Sequence, residues 1–147
     1  MKDRAQCVVM GTEAQPFLWQ ARVYYEDTDA GGIVYYANYL RFLERARTEW
    51  LRARGWSQRA LAQTPGIVFV VVSLEARYRR PARLDDLLAI SCETSLEGSA
   101  TLTFRQCIWR DGTAGELLLQ GTVRVACLDA ATLRPRRLPD FMAKELK

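Results

Sequence analysis

The stretch Tyr25-Glu-Asp-Thr-Asp-Ala-Gly-Gly-Ile-Val-Tyr-Tyr-Ala-Asn-Tyr39 decides how the chain is read. Three acids (Glu26, Asp27, Asp29) lie within four residues, and a Gly31-Gly32 pair follows. Beyond it, Tyr39, Leu40, Leu43, Ala46, Trp50 and Leu51 recur at helical spacing. Arg41, Glu44, Arg45 and Arg52 occupy the opposite face. The helix is expected from about Tyr36, with Asn38 as its N-cap and Gly55 as its C′ residue. A stripe this rich in aromatic and aliphatic groups needs a broad surface to lie on, most simply a sheet.

The sheet is legible on both sides of this unit. Residues 17–26 read as a strand broken by turn formers at 27–32. A short second helix is expected over 56–63, closed by Pro65-Gly66. Strands follow at 67–80, 87–96, 100–110 and 117–128, with Asp111-Gly112 as a hairpin turn and a helical turn at 139–146. Short connections make the sheet antiparallel. One long helix on one face of such a sheet is an α+β layer of about five strands. The run 67–72 is apolar on both faces, so it calls for a partner, and at least a dimer is expected. Residues 1–16 read as a flexible arm and 17–147 as one domain.

Composition narrows the chemistry. The 147 residues suit one domain with a real core, at 49% hydrophobic and 26% charged. No apolar run approaches the roughly 18 residues of a membrane-spanning helix, and no signal peptide is read, so a cytoplasmic location is expected. The net charge of +4 is small and scattered, which does not favour nucleic acid as a partner. The four cysteines are widely spaced and read as reduced, mostly buried thiols. There is no histidine. That excludes Ser-His-Asp and Cys-His catalysis and His-ligated metals within the chain. An enzyme of this composition works with carboxylates, tyrosines, backbone amides and water.

Asp29 is the first candidate. Before a Gly turn at a helix N-terminus, a carboxylate can face a carbonyl held by backbone N–H groups near Tyr35 and Tyr36. The same spacing also suits an Asp that only stabilises a turn. Asp27 and Glu26 read more readily as capping, turn or ion-pair residues. The three acids do not have the spacing of a calcium loop, and no metal is expected. Arg77, Arg79, Arg80 and Arg83 form either a solvated strand end or a phosphate-reading patch.

The run 24–40, continued by Phe42-Leu-Glu-Arg-Ala-Arg-Thr-Glu-Trp-Leu51, closely resembles the signature of the hotdog-fold acyl-CoA thioesterases. It is most similar to the 4-hydroxybenzoyl-CoA thioesterase type and its Tol–Pal-associated branch. The likeness extends through Pro81-Ala-Arg-Leu-Asp-Asp86 and Leu133-Arg-Pro-Arg-Arg-Leu-Pro139. It implies a long helix wrapped by an antiparallel sheet, paired into dimers or tetramers. The implied substrate is a short-chain aliphatic or aromatic acyl-CoA, hydrolysed without cofactor. Acyl carrier protein is the alternative thiol carrier. Asp29 matches the catalytic aspartate and the Tyr36 backbone N–H the donor to the thioester carbonyl. Gly32, Ile33, Val34 and Tyr35 are implied to bind substrate, and with Glu97 where relatives often place basic residues, the CoA phosphates are expected to meet Arg83, Arg105 or an Arg of the neighbouring subunit. Two departures stand out. Tol–Pal-associated relatives commonly carry His where this chain has Tyr36, and Glu97 stands where relatives often place basic residues. The competing reading on the same fold is a protein that binds an acyl carrier or an envelope-associated partner with little or no catalysis.

Overall fold

The computed structural model describes residues 17–146, so the expected arm at 1–16 lies outside the described residues. Five strands form one sheet: β1 (Phe17–Arg22), β2 (Ile67–Tyr78), β3 (Leu87–Glu97), β4 (Thr101–Arg110) and β5 (Glu116–Asp129). The strand order is β1-β3-β4-β5-β2, with every neighbouring pair antiparallel. The long helix α1 (Tyr39–Ala53) precedes a short α2 (Gln58–Gln63), and α3 (Asp140–Glu145) closes the described chain. The expected α+β class and strand number hold.

Helix α1 buries Tyr39, Phe42, Leu43, Ala46, Trp50 and Leu51. On the sheet, Ile90, Leu102, Phe104, Ile108, Leu119, Val123 and Val125 belong to the same core. Each large side chain so buried contributes roughly 1.5–3 kcal/mol. A fully buried amide fastens the two layers. Gln106 of β4 donates to the Leu43 carbonyl at 3.0 Å and accepts from the Arg47 guanidinium at 3.0 Å. Leu40 is only half-buried, whereas Phe42 takes a full core position.

Three details differ from expectation. The first strand stops at Arg22 rather than running to 26, because residues Tyr25–Asp27 coil into a 3₁₀ turn. The Asp27 carboxylate accepts the Tyr24 N–H at 2.8 Å and so bends the chain there. Asn38 stands at the N-cap position of α1 as expected, but its side chain makes no capping bond; the residue ends a 3₁₀ turn, Tyr36–Asn38, that leads into the helix. Cys92 and Cys127 are free and buried as read, but Cys107 is disulfide-bonded, which spacing along the chain could not reveal. Burial pushes the Cys92 thiol up to about 12, against opposing pulls from Arg47 and the Gln106 hydrogen bond, so it stays protonated and inert. Among the described residues, no helix is long and apolar enough to cross a membrane.

Strand β2 is an edge of the sheet. It pairs with β5 alone, and Val70, Val71, Val72 and Leu74 are all exposed. The doubly apolar run read from the sequence is therefore an open apolar edge in the single chain.

Candidate active site

The loop between β1 and α1 is built on a buried carboxylate. Asp27 is only 6% exposed. One of its oxygens accepts the Tyr24 N–H, and the other accepts the Asn38 side-chain amide at 2.9 Å. A buried acid is tolerated when its lone pairs are satisfied in this way. Its backbone carbonyl also accepts the Tyr35 N–H at 3.0 Å. Asp27 thus joins the end of the first strand to the start of the helical segment. The eight residues between Asp27 and Tyr36 are held at both ends.

Within that bracket, Thr28 and Val34 bridge in antiparallel fashion and residues 29–33 make the tip. The Asp29 N–H donates to the Ile33 carbonyl at 2.8 Å, and the Gly32 N–H donates to the Asp29 carbonyl at 3.0 Å. Gly32 has φ +81°, a conformation that favours glycine. At Gly31 a Cβ would stand 3.2 Å from Asp29 Oδ1, so a side chain there would press on the carboxylate. That same Oδ1 accepts the Gly31 N–H at 2.8 Å. Asp29 is exposed, with one oxygen oriented by its own loop and the other with no bond within the described residues.

The helical segment opens at Tyr36. The first N–H groups of a helix have no intrahelical acceptor, and the Tyr36 N–H has none among the described residues. Tyr35 and Tyr36 are exposed, with their rings 5.0 Å apart. From the other side, the connection between β2 and β3 supports the loop. The Val34 N–H donates to the Ala82 carbonyl at 2.9 Å, and the Ala82 N–H donates to the Tyr39 hydroxyl at 3.0 Å. Asp86 fixes this connection by accepting from the Arg83 N–H at 2.7 Å and from Arg110 Nε at 2.9 Å.

The structure brings Asp29, Gly32, Ile33, Val34, Tyr35 and Tyr36 into one loop. Val34, however, is buried in the core. Arg83 joins the loop through a backbone bridge to Ile33, and its side chain is exposed. Arg105 lies elsewhere. Its neighbours Phe104 and Gln106 face α1, so alternation along β4 turns Arg105 to the opposite face, where it stands 3.9 Å from Glu93. Sequence reading treated Asp27 as a turn former and missed its bond to Asn38. Two polar residues eleven apart give no local signal of contact.

A carboxylate on a glycine turn beside a helix start with free N–H groups suits attack on a carbonyl or activation of water. Comparison with known proteins bears on this geometry. The family model of the thioesterase superfamily matches residues 31–116. The chain belongs to the thioesterase superfamily. It is 45% identical to the acyl-CoA thioester hydrolase YbgC of Escherichia coli O6:H1, over 89% of this chain and 96% of that protein. It is 44% identical to the acyl-CoA thioesterase YbgC of Haemophilus influenzae, over 89% and 91%. The crystal structure of a probable thioesterase from Bartonella henselae superposes with a TM-score of 0.79 at 38% identity. It covers 85% of this chain and 100% of that one. The α+β layer is accordingly the hotdog fold of the thioesterase superfamily, as the signature implied.

The bracket itself can be tested. Removing the carboxylate in Asp27→Ala orphans the Tyr24 N–H and the Asn38 amide together. Each orphaned group costs about 1–3 kcal/mol. Urea unfolding is expected to show a loss on the order of 3 kcal/mol, with thioesterase turnover lowered as the loop loosens.

Proposed function

We propose that this thioesterase hydrolyses an acyl-CoA to free acid and CoA at the loop that carries Asp29. In this reading the thioester carbonyl sits against the free N–H of Tyr36, where the helix start supplies partial positive charge as the oxyanion develops. Asp29 then attacks the carbonyl carbon or takes a proton from the attacking water. If Asp29 attacks, the C–S bond breaks, CoA leaves as thiolate, and water hydrolyses the resulting anhydride. If water attacks, its proton passes to Asp29, and a tetrahedral centre bearing a hydroxyl in place of the Asp29 oxygen collapses directly to acid and thiolate. The absence of histidine leaves a carboxylate as the base available at neutral pH, and the scheme calls on no metal or prosthetic group.

The observation that carries this reading is Asp29 on a glycine turn that orients one oxygen and leaves the other open, within a loop that also presents the Tyr36 N–H. A protein that only bound an acyl carrier would need neither group. The acyl part is a short aliphatic or aromatic acid in a cytoplasmic setting, with acyl carrier protein as the alternative thiol carrier. Ile33 and Tyr35 contact the substrate from the loop, and the exposed Arg83 beside Ile33 meets a CoA phosphate.

The edge strand β2 supports a homodimer. An unpaired edge with Val70, Val71, Val72 and Leu74 exposed is a template for a second copy of itself.

Release of free thiol from a panel of acyl-CoAs distinguishes catalysis from binding. Thiol release is expected, with one acyl class preferred. Saturable binding with no thiol release across the panel would contradict hydrolysis. For the assembly, Val72→Lys places a charge on the β2 edge. Sedimentation is expected to report monomer for this variant and dimer or tetramer for the wild type. Unchanged mass would exclude β2 as the interface.

A further inference from the structure

The end of β2 reaches the same turn through a hydrogen bond that none of the chemistry above uses. Tyr78, the last residue of β2, donates its hydroxyl to the Tyr36 carbonyl at 2.7 Å, across 42 positions of sequence. Its ring meets Tyr39 edge-on at 5.3 Å. Tyr39 in turn accepts the Ala82 N–H, so the two rings link the strand end, the β2–β3 connection and the first residues of the helical segment.

The bond is not required to satisfy either group. In the single chain Tyr78 is 48% exposed and Tyr36 is 64% exposed, so neither group depends on the other to escape burial unpaired. What the bond fixes is a peptide plane. The Tyr36 carbonyl belongs to the same peptide unit as the Ala37 N–H, and like that of Tyr36, the Ala37 N–H has no acceptor among the described residues. A hydrogen bond to a carbonyl polarises its own peptide and strengthens the N–H at the other end. It also stops the first turn from rocking, and backbone donors at a reacting carbonyl are effective only when preorganised.

We infer that Tyr78 is a positioning residue for the thioesterase reaction: its hydroxyl orients and polarises the Tyr36–Ala37 peptide, so that the Ala37 N–H joins that of Tyr36 as a second donor to the thioester oxygen. This rests on the acyl-CoA hydrolysis proposed above. No bond to substrate passes through Tyr78 itself. The hydroxyl acts in its protonated form. Burial first, and then the neighbouring Tyr39 and Tyr36, raise its pKa above the ordinary tyrosine value, so it remains a donor at neutral pH.

The test is Tyr78→Phe, which keeps the ring against Tyr39 and removes only the hydroxyl. The best acyl-CoA from the panel serves as substrate, and the Ala37 amide resonance is followed by NMR in the absence of substrate. The expected result is a folded protein with kcat lowered about tenfold, the scale set by one hydrogen bond. KM should stay within about twofold, and the Ala37 amide proton should shift upfield. Wild-type kcat, a loss carried by KM, or an unmoved Ala37 amide would overturn the inference. So would a variant that does not fold, since the hydroxyl would then be structural. If the wild type releases no thiol, the hydrolysis reading fails instead, and the Ala37 shift still reports whether Tyr78 polarises that peptide.

Discussion

A buried carboxylate at position 27 sets the geometry on which the proposed chemistry depends. Asp27 accepts one backbone N–H from the end of the first strand and one side-chain amide from the start of the helical segment. Removing such an acid from water is unfavourable unless its oxygens are bonded. Here both are, and the bonds also decide where the chain turns. The strand ends at Arg22, the tip at 29–33 projects, and the helix start lies beside it. Two acids two residues apart have therefore separated into different roles. Asp27 is buried and doubly bonded, while Asp29 is exposed and bonded only within its own loop.

The sheet acts as a frame for this loop. Helix α1 is seated by its apolar stripe and by the Gln106 amide, so its N-terminal turn is fixed relative to β4. The β2–β3 connection presses in from the opposite side, held by Asp86 and Arg110. Tyrosines 36, 39 and 78 fill the space between these supports. A chain without histidine gains by this arrangement. A carboxylate and backbone amides need to be placed well more than they need to be tuned by titration.

Much of this was legible in the sequence because its signals are local. The helical stripe from Tyr39 to Leu51, the Gly31-Gly32 turn and the Asp111-Gly112 hairpin each carry their periodicity or backbone requirement within a few residues. The open edge of β2 was legible as a run apolar on both faces. Contacts between distant residues were not. The place of β1 beside β3, the Asp27–Asn38 bond, and the reach of Tyr78 to Tyr36 depend on tertiary pairing that leaves no local trace. The face on which Arg105 stands follows from strand phase, which charge alone does not give. The end of the first strand was missed because a side-chain bond by Asp27 overrode the strand propensity of Tyr24 and Tyr25.

The most direct measurement is thiol release by Asp29→Asn. The substitution keeps the size of the side chain and the Oδ1 acceptor that orders the loop, and removes the negative charge. The account predicts a folded protein whose melting temperature and oligomeric state match the wild type and whose hydrolysis of its preferred acyl-CoA is nearly abolished. Turnover near the wild-type level in that folded variant would contradict it.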